Sequence, residues 1–169
     1  MSINICEFKD LHPEMQSSIA EQVSDYTSGL LGETPQMLPI SANAVMQKQL
    51  GIVALCEESF AGYVGATNLI LHNSTPMLEV GSLWVPGKYR HKGIAHELVG
   101  AITSNLVDRQ YLPYAFCNEL SLPIFKSAGY LETCSGSVPS CALDACSACP
   151  MKPKTDCCDT IVVLGGGIQ

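Results

Sequence analysis

From Ile94 onward, apolar side chains recur every three or four residues. Ile94, Leu98, Ile102 and Leu106 form one ridge, with Ala95 and Val99 beside it, and this periodicity predicts an amphipathic helix. Immediately upstream the pattern changes. Glu79 to Val85 carries Val80, Leu83, Trp84 and Val85 and reads as an apolar strand. Pro86-Gly87 breaks it, because proline lacks a ladder donor and glycine permits a turn. Strand and helix are joined by Lys88-Tyr89-Arg90-His91-Lys92-Gly93.

The same reading applied to the rest of the chain predicts strands alternating with helices. Ile3 to Phe8 is a first strand. Pro13 opens a helix with Met15, Ile19, Val23, Tyr26 and Leu30 on one stripe. Gly32 to Pro39 is a loop, and Ser41 caps a short helix that ends before Gly51. Gly51–Cys56 and Ala61–Leu71 are β-rich, with turns at Glu57–Ser59 and His72–Pro76. After the central helix come a strand at Tyr111–Cys117, a short helix at Leu122–Ala128 closed by Gly129, and strands starting at Tyr130 and Thr160. The final IVVLGGGI run resembles the start of a nucleotide-binding turn, but a terminal strand with a glycine tail is expected there.

Composition narrows the class. The chain has 169 residues, of which 47% are hydrophobic and 15% charged, so one globular domain over residues 1–169 is expected. A net charge of −7 argues against nucleic-acid binding, which needs a basic face. The longest uncharged stretch, Ser59–Leu78, is too rich in Gly, Asn, Thr and Ser for a membrane span. No leader pattern of basic, apolar and small residues opens the sequence. A soluble, cytoplasmic protein, monomeric or homodimeric, is expected.

Three of the nine Lys and Arg residues fall in the loop at 88–93. A strand, a turn, a basic glycine-bearing loop and a helix start form the geometry of an anion site. The first helical N–H groups lack internal partners and sit at the positive end of the helix dipole. Gly93 admits a phosphate without a Cβ in the way. Lys88, Arg90, His91 and Lys92 add positive potential. The same residues also suit an ordinary solvated loop. The GxxxxGK[ST] pattern is absent from the chain, and GxGxxG is absent from this loop.

Arg90-His91-Lys92-Gly93-Ile94-Ala95 resembles the (Gln/Arg)-x-x-Gly-x-(Gly/Ala) signature of the GNAT family of acetyl-CoA-dependent N-acetyltransferases. A second block, Asn118-x-x-Ser121-x-x-Ile124-Phe125-x-x-x-Gly129-Tyr130, is similar to a later segment of that family. The similarity covers roughly residues 50–135. It implies an α+β fold, with a mixed, mostly antiparallel twisted sheet flanked by helices. It also implies transfer of an acetyl group from acetyl-CoA to a primary amine. Arg90, His91, Lys92, Gly93, Ile94 and Ala95 would then wrap the pyrophosphate. Backbone N–H groups of Leu83, Trp84 or Val85 would polarise the thioester carbonyl. Asn118, Ser121 and Phe125 would line the cofactor site, although Asn118 also suits a simple helix cap.

An alkylamine, with a pKa of about 10.4, must lose a proton before it attacks. Glu79, eleven residues before Arg90, stands where the histone-acetylating branch of the family carries its catalytic glutamate. An exposed strand-end carboxylate is the plain alternative. In one place the chain departs from the pattern. The family commonly carries a tyrosine at the position of Phe125, and a phenyl ring has no proton to give. Ser121, Tyr130 or a water would have to replace it.

The nine cysteines divide unevenly. Cys6, Cys56 and Cys117 lie among apolar neighbours and suit buried thiols. The other six crowd a cysteine-rich insertion or loop at about 134–158, before the last strand. Cys141, Cys146, Cys149 and Cys157 could hold tetrahedral zinc; a redox disulfide or free thiols are also compatible with the spacing. Two alternatives to catalysis therefore stand: a non-catalytic acyl-CoA-binding module, and a metal- or redox-sensing regulator on the same scaffold.

Overall fold

The computed structural model of the chain describes residues 2–35, 37–133, 142 and 160–165. The cysteine-rich run, with Cys141, Cys146, Cys149 and Cys157, lies outside the described residues. The element order is β1 (Ile3–Glu7), α1 (Pro13–Thr27), α2 (Ala42–Met46), β2 (Leu50–Cys56), β3 (Ser59–His72), β4 (Thr75–Trp84), α3 (Ile94–Asp108), β5 (Leu112–Cys117), α4 (Leu122–Ser127), β6 (Tyr130–Thr133) and β7 (Thr160–Leu164). None of the described helices is long and apolar enough to cross a membrane.

The strands form a seven-stranded sheet in the order β1-β2-β3-β4-β5-β7-β6. β1 with β2, β2 with β3, β5 with β7 and β6 with β7 pair antiparallel. β4 and β5 run parallel, with rungs from Met77–Leu112 to Glu79–Tyr114. This is the mixed, mostly antiparallel α+β architecture that the resemblance implied.

The chain divides into two compact units, Met1–Ala66 with Ser82–Leu98, and Thr67–Gly81 with Val99–Gln169. In the first, Ile19, Ala20, Val23 and Tyr26 of α1 pack with Phe8, Val53, Leu55, Tyr63 and Trp84. Tyr26 stacks on Trp84 at 4.7 Å between ring centroids. β2 has no exposed residue, so it is covered on both faces. In the second unit, Met77, Leu112, Tyr114 and Val163 form the core. All four residues of the α3 ridge, Ile94, Leu98, Ile102 and Leu106, are at most 1% exposed. Each such burial contributes roughly 1.5–3 kcal/mol.

Helix α1 is shorter than its apolar stripe predicts. Gly29 takes a left-handed φ of +76°, and the N–H groups of Gly29 and Leu30 bond back to Tyr26 and Asp25. This terminates the helix and leaves Leu30 73% exposed, outside the core. Strand β4 is longer than predicted, beginning at Thr75, so Glu79 stands inside the strand and not at its end. Ser41 caps α2 as expected, its Oγ accepting the Ala44 N–H at 3.2 Å. Cys56 and Cys117 are buried, and Cys6 is half-buried. Burial, with the Asp10 carboxylate nearby, pushes the Cys6 thiol up from its ordinary range.

The β2–β3 turn places Glu57 and Glu58 at φ +48° and +65°, a conformation that favours Asn and Gly. Replacing Glu58 with glycine relieves that strain without touching the core. Glu58→Gly is expected to raise stability in urea by about 0.5–1 kcal/mol with an unchanged denaturant slope.

Candidate functional site

The junction between β4 and α3 belongs to the first unit and holds most of the predicted site residues. Ser82 stands in β4 with φ +55°, a left-handed break in an extended strand that alters the aim of the backbone just before Leu83. Trp84 and Val85 are buried. The indole is committed to the aromatic core, leaving only the main chain of Trp84 for the site. Gly87–Tyr89 forms a short 3-10 turn. Beyond it, His91 and Gly93 take φ values of +60° and +82°. A Cβ built at Gly93 meets nothing within 4 Å, so the backbone there is open on the outside. Ile94 begins α3, where the first helical N–H groups lack intrahelical acceptors. The Gly93 carbonyl accepts from His96 and Glu97 at 3.0 and 3.2 Å.

The basic side chains of this loop are placed differently from one another. Lys88 and Lys92 both bring their ammonium groups over the Tyr89 ring, at 4.8 and 5.5 Å from its centroid. His91 and Lys92 are exposed. Arg90 folds back on the loop, its Nε donating to the Val85 carbonyl at 2.9 Å, and its guanidinium pairs with Glu33. The result is a positively charged rim beside an open, left-handed stretch of backbone at a helix start, a geometry suited to a phosphate anion.

Glu79 lies in the second unit, half-buried on β4. One of its oxygens accepts from the Asn68 side-chain amide at 2.7 Å. Asn68 stands within β3 at φ +55°, so a strained backbone residue aims a donor at the carboxylate. Nothing in the sequence distinguishes Asn68 from other polar strand residues; only the β3–β4 pairing brings it to Glu79.

Asn118 and Ser121 form one local turn. Asn118 Oδ1 accepts the N–H groups of Leu120 and Ser121 at 3.1 and 3.0 Å, and the Ser121 hydroxyl lies 3.1 Å from the same oxygen. Such an arrangement is an Asx-type turn leading into α4, whose own N-cap, Ser121, makes no side-chain capping bond. Phe125 is buried, with its ring edge-on to Tyr130 at 5.1 Å. Tyr130 is 1% exposed and its hydroxyl bonds Thr103 Oγ1 at 3.0 Å. Burial, chiefly, pushes that phenol above its ordinary ionisation range. A hydroxyl so enclosed and already bonded is poorly placed to protonate a leaving group.

Among the described residues no group of three or more His, Cys, Asp or Glu side chains gathers where it could hold a metal ion. Among the described residues a hollow of about 400 Å³ lies at the start of α1 and the β2–β3 turn, lined by His12, Glu14, Phe60 and others. None of the predicted site residues lines it.

Solved structures of GNAT-family acetyltransferases share this mixed α+β fold. The chain is similar to a GNAT-family acetyltransferase from Staphylococcus aureus, with a TM-score of 0.63 at 15% identity, over 96% of this chain and 98% of that one. It is similar to N-acetylglutamate synthase from Neisseria gonorrhoeae, solved with coenzyme A and N-acetyl-glutamate, with a TM-score of 0.70 at 10% identity. There the likeness covers 97% of this chain but only 35% of the synthase. A GNAT-family N-acetyltransferase from Escherichia coli in complex with CoA gives a TM-score of 0.54 at 19% identity, over 76% of this chain and 68% of that one. No protein-family model matches the sequence, and no curated protein matches it. At these identities the likeness is one of fold.

Gly93 tests the loop directly. Gly93→Val places a β-branched side chain at φ +82°, which that residue type does not tolerate. It is expected to weaken acetyl-CoA binding in calorimetry by at least about tenfold, because a shift of roughly 1–3 kcal/mol in local strain must be met on binding. Lys92→Ala should weaken it mildly, and less so at high salt.

Proposed function

We propose that this chain is an N-acetyltransferase that moves an acetyl group from acetyl-CoA to a primary amine. The observation that carries the reading is the open, left-handed backbone at His91 and Gly93, set at the start of α3 beside a basic rim. The likeness in fold to proteins solved with coenzyme A supports it. In this reading residues 1–169 act as one domain in the cytoplasm, and the pyrophosphate rests on the main chain from Arg90 to Ala95.

Acetyl-CoA, when bound, supplies an activated thioester carbonyl. The chain's part is to orient it and to manage one proton. Main-chain N–H groups at Leu83, Trp84 or Val85, re-aimed by the break at Ser82, would face the carbonyl oxygen. Glu79 would take the proton of the attacking ammonium, with Asn68 fixing the carboxylate's direction. Asn118, Ser121 and Phe125 would support the cofactor side through the turn into α4. With a phenyl ring at Phe125, Tyr130 bonded inside the core and the Ser121 hydroxyl bonded to Asn118 Oδ1, the sulfur leaves without a side-chain acid. A thiol of pKa near 8.5 is an adequate leaving group on its own.

Free-thiol release from acetyl-CoA over a panel of amines tests the activity. Glu79→Gln is expected to keep acetyl-CoA affinity and lower turnover by about 10²–10⁴-fold, the loss growing towards low pH where the amine is most fully protonated. Full activity of Glu79→Gln across about pH 6 to 9 would show that the amine loses its proton in bulk water. Asn68→Gly suits the left-handed backbone but deletes the donor. It should lower kcat by roughly 3–10-fold, the net worth of one ordinary solvent-exposed hydrogen bond, with KM for acetyl-CoA unchanged.

A further inference from the structure

Glu33 stands between α1 and α2, in a segment without any recognisable motif. Its carboxylate nevertheless reaches two points of the β4–α3 junction. Oε1 accepts the Gly87 N–H at 3.2 Å, and Oε2 pairs with the Arg90 guanidinium. A Cβ at Gly87 would stand 3.2 Å from Glu33 Oε1, so a larger residue there would displace the carboxylate by a few tenths of an ångström. Arg90 completes the arrangement by donating from Nε to the Val85 carbonyl at 2.9 Å. Val85, Arg90, Glu33 and Gly87 thus form a closed circuit around the 3-10 turn. The turn's own bonds, Tyr89 N–H to Pro86 at 2.8 Å and Arg90 N–H to Gly87 at 3.2 Å, lie inside that circuit.

We propose that Glu33 is a positioning residue for the anion-binding loop, and that Arg90 is its strut and not a phosphate ligand. The proposal rests on the reading of the main chain from Arg90 to Ala95 as the pyrophosphate site. Loops that must present several N–H groups to one anion lose affinity when they have to be ordered on binding. The circuit fixes the chain direction just before His91, so that the left-handed residues and the helix start are already arranged. Both side chains are partly exposed, 44% for Arg90 and 33% for Glu33. Solvent therefore screens their attraction, and the contribution is chiefly geometric. Were Arg90 a phosphate ligand held back by Glu33, removing the carboxylate would free it and tighten binding. The two accounts therefore predict opposite signs.

Calorimetry on the full chain separates them, with acetyl-CoA and with S-acetylpantetheine, which lacks the pyrophosphate and nucleotide. Glu33→Ala is expected to weaken acetyl-CoA binding about 3–10-fold, as loss of one charge-assisted hydrogen bond and one exposed ion pair would. S-acetylpantetheine binding should be unaffected. Glu33→Gln, which still offers an acceptor to Gly87, should recover part of the loss. In the unliganded protein, hydrogen exchange at Gly87, Tyr89 and Arg90, whose N–H groups are bonded within the circuit, should quicken in Glu33→Ala while β2 stays protected. Unchanged or tighter acetyl-CoA binding, or unchanged exchange at these amides, would overturn the proposal. So would an equal loss for both ligands. A wild-type chain that binds no acetyl-CoA would instead remove the reading of the loop on which it rests.

Discussion

Between Trp84 and Ile94 the chain changes from strand to helix, and the first N–H groups of α3 have no carbonyl within the helix to receive them. Exposed backbone donors at a helix start must be met by water, by a side chain or by a ligand. Here the approach to them is kept open. Gly93 adopts φ +82°, and the place a Cβ would take there has nothing within 4 Å. His91 shares the left-handed conformation. The ridge of Ile94 and Leu98 beneath is fully buried, so the helix start cannot retreat to satisfy itself elsewhere. A left-handed φ is costly for His91 but not for Gly93, which has no Cβ to clash.

Two further departures from regular backbone fall inside strands. Ser82 breaks β4 at φ +55°, and Asn68 breaks β3 at the same angle. Left-handed conformations of non-glycine residues cost of order 1–3 kcal/mol each, and ordinary strands avoid them. Asn68 uses its conformation to put an amide on Glu79. Ser82 changes the direction of β4 one residue before the main-chain groups proposed for the thioester. The parallel pairing of β4 with β5 extends to Glu79–Tyr114, and Val80 and Gly81 continue the strand beyond that rung.

Much of this was legible in the sequence, for a specific reason. The α3 ridge and the Pro86-Gly87 break are properties of period and turn chemistry, which neighbouring residues determine. The signature Arg90–Ala95 is local as well. What could not be read depends on contacts far apart in the chain. Glu33 and Arg90 are separated by 57 positions, and a lone glutamate in a loop carries no signal of its partner. The same holds for Asn68, eleven positions from Glu79. Leu30 misled for the opposite reason: its spacing fits the α1 stripe, but Gly29 ends the helix before the stripe reaches it. Tyr130 fits the second signature block, yet its hydroxyl belongs to Thr103 in the core.

Hydrogen exchange of the backbone amides from Arg90 to Ala95, with and without saturating acetyl-CoA, tests the central claim most directly. It reads the N–H groups themselves and needs no knowledge of the acceptor amine. The account predicts that acetyl-CoA slows exchange at Gly93, Ile94 and Ala95, and that acetate at the same concentration does not. Amides at these positions that exchange equally fast with and without bound acetyl-CoA would contradict it.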